Sequence, residues 1–153
     1  MPLAPMPDGT YLVLLSPTER QVLAQVCAEL RAALDDDTDD PSFRRLFPAA
    51  YAQDPELQQF FEQMTRGELT DTRVAALTVM ADTAGNDVLT AEEIESWMLA
   101  TNALRLVLGT RLDLSEDDDL DRIEPDDPNL AAYVLYGFLS ELLGSIVTCL
   151  RIR

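Results

Sequence analysis

The chain has 153 residues, with 28 acids, 11 bases, no histidine and a formal net charge of −17. Every base is an arginine, so lysine is absent as well. These absences exclude imidazole catalysis, histidine-ligated metals, Schiff-base lysines and phosphate-loop lysines, and they leave only carboxylate chemistry for an enzyme. We therefore expect one domain, residues 1–153, that is not an enzyme and has no cofactor, no catalytic residues and no metal site.

Charge and cysteine usage indicate the surroundings of the protein. A chain with this excess of acids repels phosphate backbones, so nucleic-acid binding is disfavoured. Cys27 and Cys149 lie on apolar helical faces, which is typical of buried, reduced thiols in an intracellular protein. The first ten residues, MPLAPMPDGT, contain neither a basic region nor an apolar run, so they do not resemble a signal peptide. We expect a cytoplasmic protein.

The first third of the chain begins with the β-type run 10-TYLVLLS-16, which predicts one short strand or an extended arm. The next residues, 16-SPTE-19, form a capping box with a proline in the first turn, which predicts the start of a helix. Apolar residues at helical spacing carry this helix to Leu34, and the acidic run 35-DDDTDDP-41 ends it. A short helix is predicted from Asp40 to Pro48.

Four further helical stretches follow along the chain. Asp54-Pro55 starts one whose apolar stripe is Leu57, Phe60, Phe61 and Met64, and another runs from about 68 to 84, with Gly85 as its C-terminal cap. The fifth helix is predicted over 91–112, and the last from Asp127-Pro128 to about Leu150. The predicted fold is all-α: a single compact bundle of five or six helices, with one short N-terminal strand or arm.

The segment 82-DTAGNDVLTAEE-93 resembles a calcium-binding loop, because Asp82, Asn86 and Glu93 stand at its first, fifth and twelfth positions. The third position is Ala84 and the sixth is Asp87, where a ligand and a glycine are needed. Local helix signals explain the same residues without a metal. Thr90 and Glu93 form a capping box, and Leu89 with Ile94 makes a hydrophobic staple. We interpret the segment as a connection between helices.

The fifth helix is apolar on nearly all sides, which predicts a central helix surrounded by protein. Arg105 lies in the middle of one of its apolar faces, so it needs a carboxylate, carbonyl groups or a ligand. We predict a buried ion pair, with Glu141 as the best single partner and Glu19, Glu29 and Glu62 as alternatives. The competing hypothesis is an anion or ligand site at Arg105 and Asn102.

The last helix contains 130-LAAYVLYGFLSELLGSIVTCL-150, in which Glu141 is the only charge. Its length is sufficient to span a membrane, with 151-RIR-153 as a flank. A carboxylate in mid-span opposes that interpretation, and small or polar residues share its face. We therefore predict a core or dimer helix and no membrane contact.

Several blocks resemble an uncharacterised actinobacterial family, domain of unknown function two-thousand-seventeen. They are 44-RRLFPAAYAQDPELQQF-60, 97-WMLATNALRLVLGTRL-112 and 138-FLSELL-143. The resemblance implies an all-α cytoplasmic protein with no assigned activity. It also implies a link to regulated proteolysis, because members are often encoded near the adaptor of the Clp protease. Some members are labelled transcriptional regulators.

Three hypotheses for the function follow from these observations. The first is a non-enzymatic interaction or regulatory protein that binds another protein or itself, since acidic loops suit a basic partner. The second is a transcriptional regulator, although the chain has no basic recognition helix. The third is a small-molecule or anion sensor with a pocket near Arg105.

Overall fold

The computed structural model describes residues 2–36, 54–113 and 124–151, and for 35–36 and 58–69 it describes the backbone alone. The described part of the chain is mostly helical and includes a small sheet. Its elements are β1 (Leu3–Pro5), β2 (Tyr11–Val13), α1 (Pro17–Asp36), α2 (Pro55–Thr83), β3 (Val88–Leu89), α3 (Ala91–Arg111) and α4 (Leu130–Arg151). The helix predicted over 40–48 and most of the acidic loops lie outside the described residues.

The predicted starts of α1, α2 and α3 are confirmed by their capping residues, whereas α4 begins at Leu130, two residues after the predicted Asp127-Pro128. At the start of α1, the backbone N–H of Glu19 donates to Ser16 Oγ, and the Ser16 N–H donates back to the Glu19 carboxylate. The N–H of Leu57 donates to Asp54 at the start of α2, where Pro55 takes the first position. These signals are reliable because capping depends on residues within one turn of each other.

The helix α2 is longer than predicted. The sequence suggested two stretches separated near Gly67, but the backbone is helical without interruption from Pro55 to Thr83. A glycine inside a helix costs only about 0.5–1 kcal/mol, so it does not by itself end one. The helix ends as predicted, with Ala84 at the C-cap and Gly85 directly after it, but Gly85 does not adopt the left-handed conformation of a typical glycine cap.

The all-α prediction is wrong in one respect, since the N-terminal run belongs to a three-stranded antiparallel sheet with the order β1-β2-β3. Leu3 faces Val13 in the register of β1 and β2, and Tyr11 faces Leu89 in that of β2 and β3. The turn before β2 contains Gly9 at φ 86, and the Asp8 carboxylate accepts hydrogen bonds from the backbone and hydroxyl of Thr10. Gly9 adopts this left-handed conformation because it has no Cβ.

One apolar core joins the sheet and the four described helices. Its members include Leu3, Val13 and Leu89 from the strands, and residues from α1, α2, α3 and α4 complete it. The helix α3 packs against the other three described helices, as expected of a central helix. Trp97 is fully buried in this core, and its indole N–H donates to Thr83 Oγ1 over 2.8 Å. The solvent-facing side of α3 carries Leu99 and Asn102.

Candidate functional site

The predicted site at Arg105 has a different geometry from the expected ion pair. Arg105 is half-buried, its Nε donates to Ser140 Oγ over 2.9 Å, and its guanidinium lies 5.1 Å from the centre of the Tyr136 ring. Glu141 and Asn102 are both exposed. Among the described residues Arg105 forms no ion pair, so the predicted pair with Glu141 is wrong.

The error at Arg105 has a simple geometric cause. Successive residues of a helix point about 100° apart, because one turn takes 3.6 residues. Ser140 faces Arg105 on α3, so Glu141, the next residue of α4, points away into solvent. A hydroxyl acceptor and an aromatic face are sufficient for a cation that keeps part of its surface in water.

The segment 82–93 connects two helices in the predicted manner. The Thr90 hydroxyl accepts from the Glu93 N–H, and the Glu93 carboxylate accepts from the Thr90 N–H, which completes the capping box. Leu89 and Ile94 are both fully buried. Among the residues that the structure describes, there is no group of three or more carboxylate or thiol residues suited to a metal ion.

Arg20 supplies a positive charge to this connection. Its Nη1 donates to the carbonyl oxygens of Gly85 and Asn86 and to the carboxylate of Asp87, over 3.0–3.2 Å. Its Nε and Nη2 donate to the carbonyls of Leu15 and Val13. One guanidinium therefore ties the start of α1, the strand β2 and the α2–α3 connection together.

Both cysteines are buried and free, as the sequence predicted. Burial raises the pKa of the Cys27 thiol from its ordinary value of 9.0 to about 12, and it also raises the pKa of the Cys149 thiol. A thiol must lose its proton to act as a nucleophile or to bind a metal. Neither side chain is suited to such chemistry in the folded protein.

A larger feature lies between α1, α3 and α4. It is an open cavity of about 370 Å³ whose walls are mainly aliphatic. The residues that line it are Val26, Glu29, Leu30, Leu104, Val107, Leu108, Arg111, Leu135 and Leu139. Its volume lies within the range of about 300–1,000 Å³ that is common for ligand pockets.

A second hollow, of about 290 Å³, adjoins this cavity at Leu135. It lies between the first turns of α1 and the first half of α4, and it is lined by Thr18, Glu19, Val22, Ala131, Val134, Leu135 and Phe138. We call the two hollows together the α1–α4 cleft. Arg105 lines neither of them, because it lies where α3 meets Ser140 and Tyr136.

The first half of α4 explains why the cleft is apolar. Residues 130–138 include five large apolar or aromatic side chains that are half-buried and Val134, which is 64% exposed. The buried residues of α4 all lie further along: Leu139, Leu142, Ser145, Ile146 and Cys149. In the described part of the chain, α4 is the one helix long and apolar enough to cross a membrane, and a buried core helix can meet that same test.

Sequence reasoning missed the cleft as a site. The spacing of Val22 and Val26 on α1, and of Val134 and Phe138 on α4, is what a buried core face also shows. In the described part of the chain these faces are only partly covered, which depends on the distance between the two helices. A pattern of apolar residues carries no information about that distance.

Comparison with known proteins identifies one family. No curated protein and no solved structure gives a significant match to the chain. The family model described as "Domain of unknown function (DUF2017)" matches residues 2–150, which is nearly the whole chain. Because the match covers so much of the sequence, the chain belongs to this DUF2017 family.

Proposed function

We propose that the protein is a non-enzymatic interaction protein that binds a segment of another protein in the α1–α4 cleft. The observation that carries the proposal is the first half of α4, where apolar side chains line an open cleft and Val134 is 64% exposed. Contiguous exposed apolar surface is costly in water, and where it occurs it commonly marks a binding site.

The composition supports a binding function over a catalytic one. Histidine and lysine are absent, and the two thiols are buried with raised pKa values. The charged residues that line the cleft are Glu19, Glu29 and Arg111. The Glu19 carboxylate already accepts the Ser16 N–H, and Glu29 accepts from the Gln25 side chain. These hydrogen bonds hold both carboxylates in place at the cleft, where they are suited to bind a polar or basic group of a partner protein.

The proposal treats α4 as a helix of the folded protein and not as a membrane anchor. Leu142 and Ile146 are fully buried in the common core. Ser145 Oγ accepts a hydrogen bond from the Leu3 N–H over 3.2 Å, which joins α4 to the edge of β1. A bilayer anchor would have to give up these contacts.

Site-specific crosslinking in the native host tests the proposal. A photoreactive amino acid at position 134 should form adducts with one or a few proteins, and the same probe at Leu99 should not. Leu99 is a suitable control because it is 45% exposed and lines neither hollow. A partner identified in this way should bind the purified chain. Equal adducts at both positions, or none at position 134, would contradict the proposed function.

A small-molecule sensor is the second candidate, favoured by the volume and aliphatic lining of the 370 Å³ cavity. A ligand that binds only the folded state raises the melting temperature. A thermal-shift screen of small apolar compounds should then give hits that disappear when Leu108 is replaced by Trp, which fills the cavity. Hits that persist in this variant would place the ligand elsewhere.

A further inference from the structure

We infer that the occupant of the α1–α4 cleft is a basic, amphipathic α-helix of about three turns belonging to a partner protein. This inference rests on the proposed function and specifies the partner's chemistry. It is carried by the length of the cleft, by the lack of a free backbone edge in its walls, and by the charge of the chain.

The length of the cleft corresponds to a short helix. Its wall on α1 extends from Thr18 to Leu30. At 1.5 Å per residue, these twelve steps measure about 18 Å, which is the length of a helix of about twelve residues. The apolar residues of the walls repeat at helical spacing, as Val22 and Val26 do on α1 and Val134 and Phe138 on α4. An occupant with apolar residues at i, i+3 or i+4, and i+7 matches this spacing.

The backbone of the cleft walls disfavours an extended occupant. Residues that line the cleft belong to α1, α3 and α4, and the N–H and C=O groups inside a helix are already paired with each other. An extended peptide in such a cleft would bury backbone groups without partners, at a cost of several kcal/mol per group in an apolar surrounding. A helix carries its own backbone hydrogen bonds into the cleft and avoids that cost.

The charge of the chain selects among helical partners. A net charge of −17 repels a second copy of the chain and any surface of anionic lipids, and it attracts a basic segment. On the α1 wall, Glu19 and Glu29 lie ten residues apart, or about 15 Å along the helix. Arg111 adds one positive charge on the α3 wall. Basic residues at both ends of the partner helix can face the two acids of α1.

Selection from a peptide library tests the inference with the full chain. The library contains peptides of about eighteen residues in helix-forming and extended designs, with randomised apolar and charged positions, and it is selected against the purified protein. Enriched peptides should be amphipathic helices with excess Lys and Arg. Val134→Arg should raise their Kd at least about tenfold, whereas the matched control Leu99→Arg should change it less than about threefold. Both variants change the net charge equally, so the comparison isolates the position.

A third variant tests the charge contribution. Glu29→Arg should weaken the basic peptides several-fold and weaken them less at high salt, because exposed charges are screened. Acidic or extended peptides among the enriched sequences, or binding unchanged by Val134→Arg, would overturn the inference. So would a dimer detected by light scattering, or binding to anionic vesicles, that Val134→Arg abolishes. If crosslinking at position 134 still identifies a partner, only the basic-helix inference has failed and the proposed function stands.

Discussion

The two halves of α4 are both rich in apolar residues and have very different surroundings. Residues 130–138 are almost all aliphatic or aromatic, and residues 139–150 combine aliphatic side chains with small and polar ones. The second half places five residues in the buried interior, whereas no residue of the first half is fully buried. The difference arises because the second half packs against β1, which is bonded to Ser145, whereas the first half borders an open cleft. Hydropathy therefore identifies a helix with apolar side chains to bury, but it does not show which of them the rest of the protein buries.

The largest difference in stability should appear between an aromatic residue in the buried core and one that lines the cleft. Trp97→Ala removes a fully buried indole and its hydrogen bond to Thr83, so we expect a loss of about 3–5 kcal/mol in the free energy of unfolding. Phe138→Ala removes a half-buried ring at the cleft and should cost about 1–2 kcal/mol. Urea unfolding measures both. Equal losses would mean that the first half of α4 is as well packed as the core.

The next difference in stability compares two hydroxyl groups of α4, one on its buried side and one on its exposed side. Ser145→Ala leaves the buried Leu3 N–H without its acceptor and should cost about 1–3 kcal/mol. Thr148→Ala changes an exposed hydroxyl that bonds to its own helix, at Gly144, and should stay within about 0.5 kcal/mol. Hydrogen exchange at the Leu3 amide would report the loss directly. An unchanged exchange rate in Ser145→Ala would show that β1 does not depend on α4.

Stability at alkaline pH should be lowered by the buried thiol of Cys27 on α1. Burial raises the pKa of Cys27 in the folded protein to about 12, from its ordinary value of 9.0. The contribution of the buried thiol to the free energy of unfolding is therefore complete below pH 9.0, and it is lost as the pH rises toward the folded pKa. Above the unfolded pKa the loss is about 1.4 kcal/mol per pH unit. Urea unfolding of the protein and of Cys27→Ala, compared at about pH 8 and about pH 10, should show a shallower fall for the variant. Parallel curves would contradict this prediction.

The smallest loss of stability is expected at Arg105 of α3, which contacts α4 where its two halves meet. Its bond to Ser140 and its contact with Tyr136 should together contribute about 1 kcal/mol, so Arg105→Ala should lose that amount. Glu141→Ala should change stability by less than about 0.5 kcal/mol, because the carboxylate is exposed. The double mutant should be additive within about 0.5 kcal/mol. A loss of about 3–5 kcal/mol for each variant, with strong coupling, would restore the buried ion pair.

Local signals in the sequence determined where α1, α2 and α3 begin, and the start of α4 falls two residues after its predicted signal. The capping boxes at Ser16 and Thr90 and the Asp-Pro pair at Asp54 act within one turn of chain, so they hold in any tertiary context. The strand β1 had a usable signal that the prediction overlooked, because Pro7-Asp8-Gly9 is typical of a turn between two strands. The two-residue strand β3 had none, since only its pairing with β2 makes it a strand.

Tertiary structure alone decided the charge partners and the cleft. Arg20 reaches Asp87 across a separation of 67 residues, and no local pattern connects the two. At Arg105 the rotation of α4 selected Ser140 over Glu141, a difference of one residue that helical periodicity cannot resolve without the docking angle. The cleft depends on the distance between α1 and α4. Apolar periodicity determines which face of a helix avoids water, and the packing of the whole chain determines whether that face is covered.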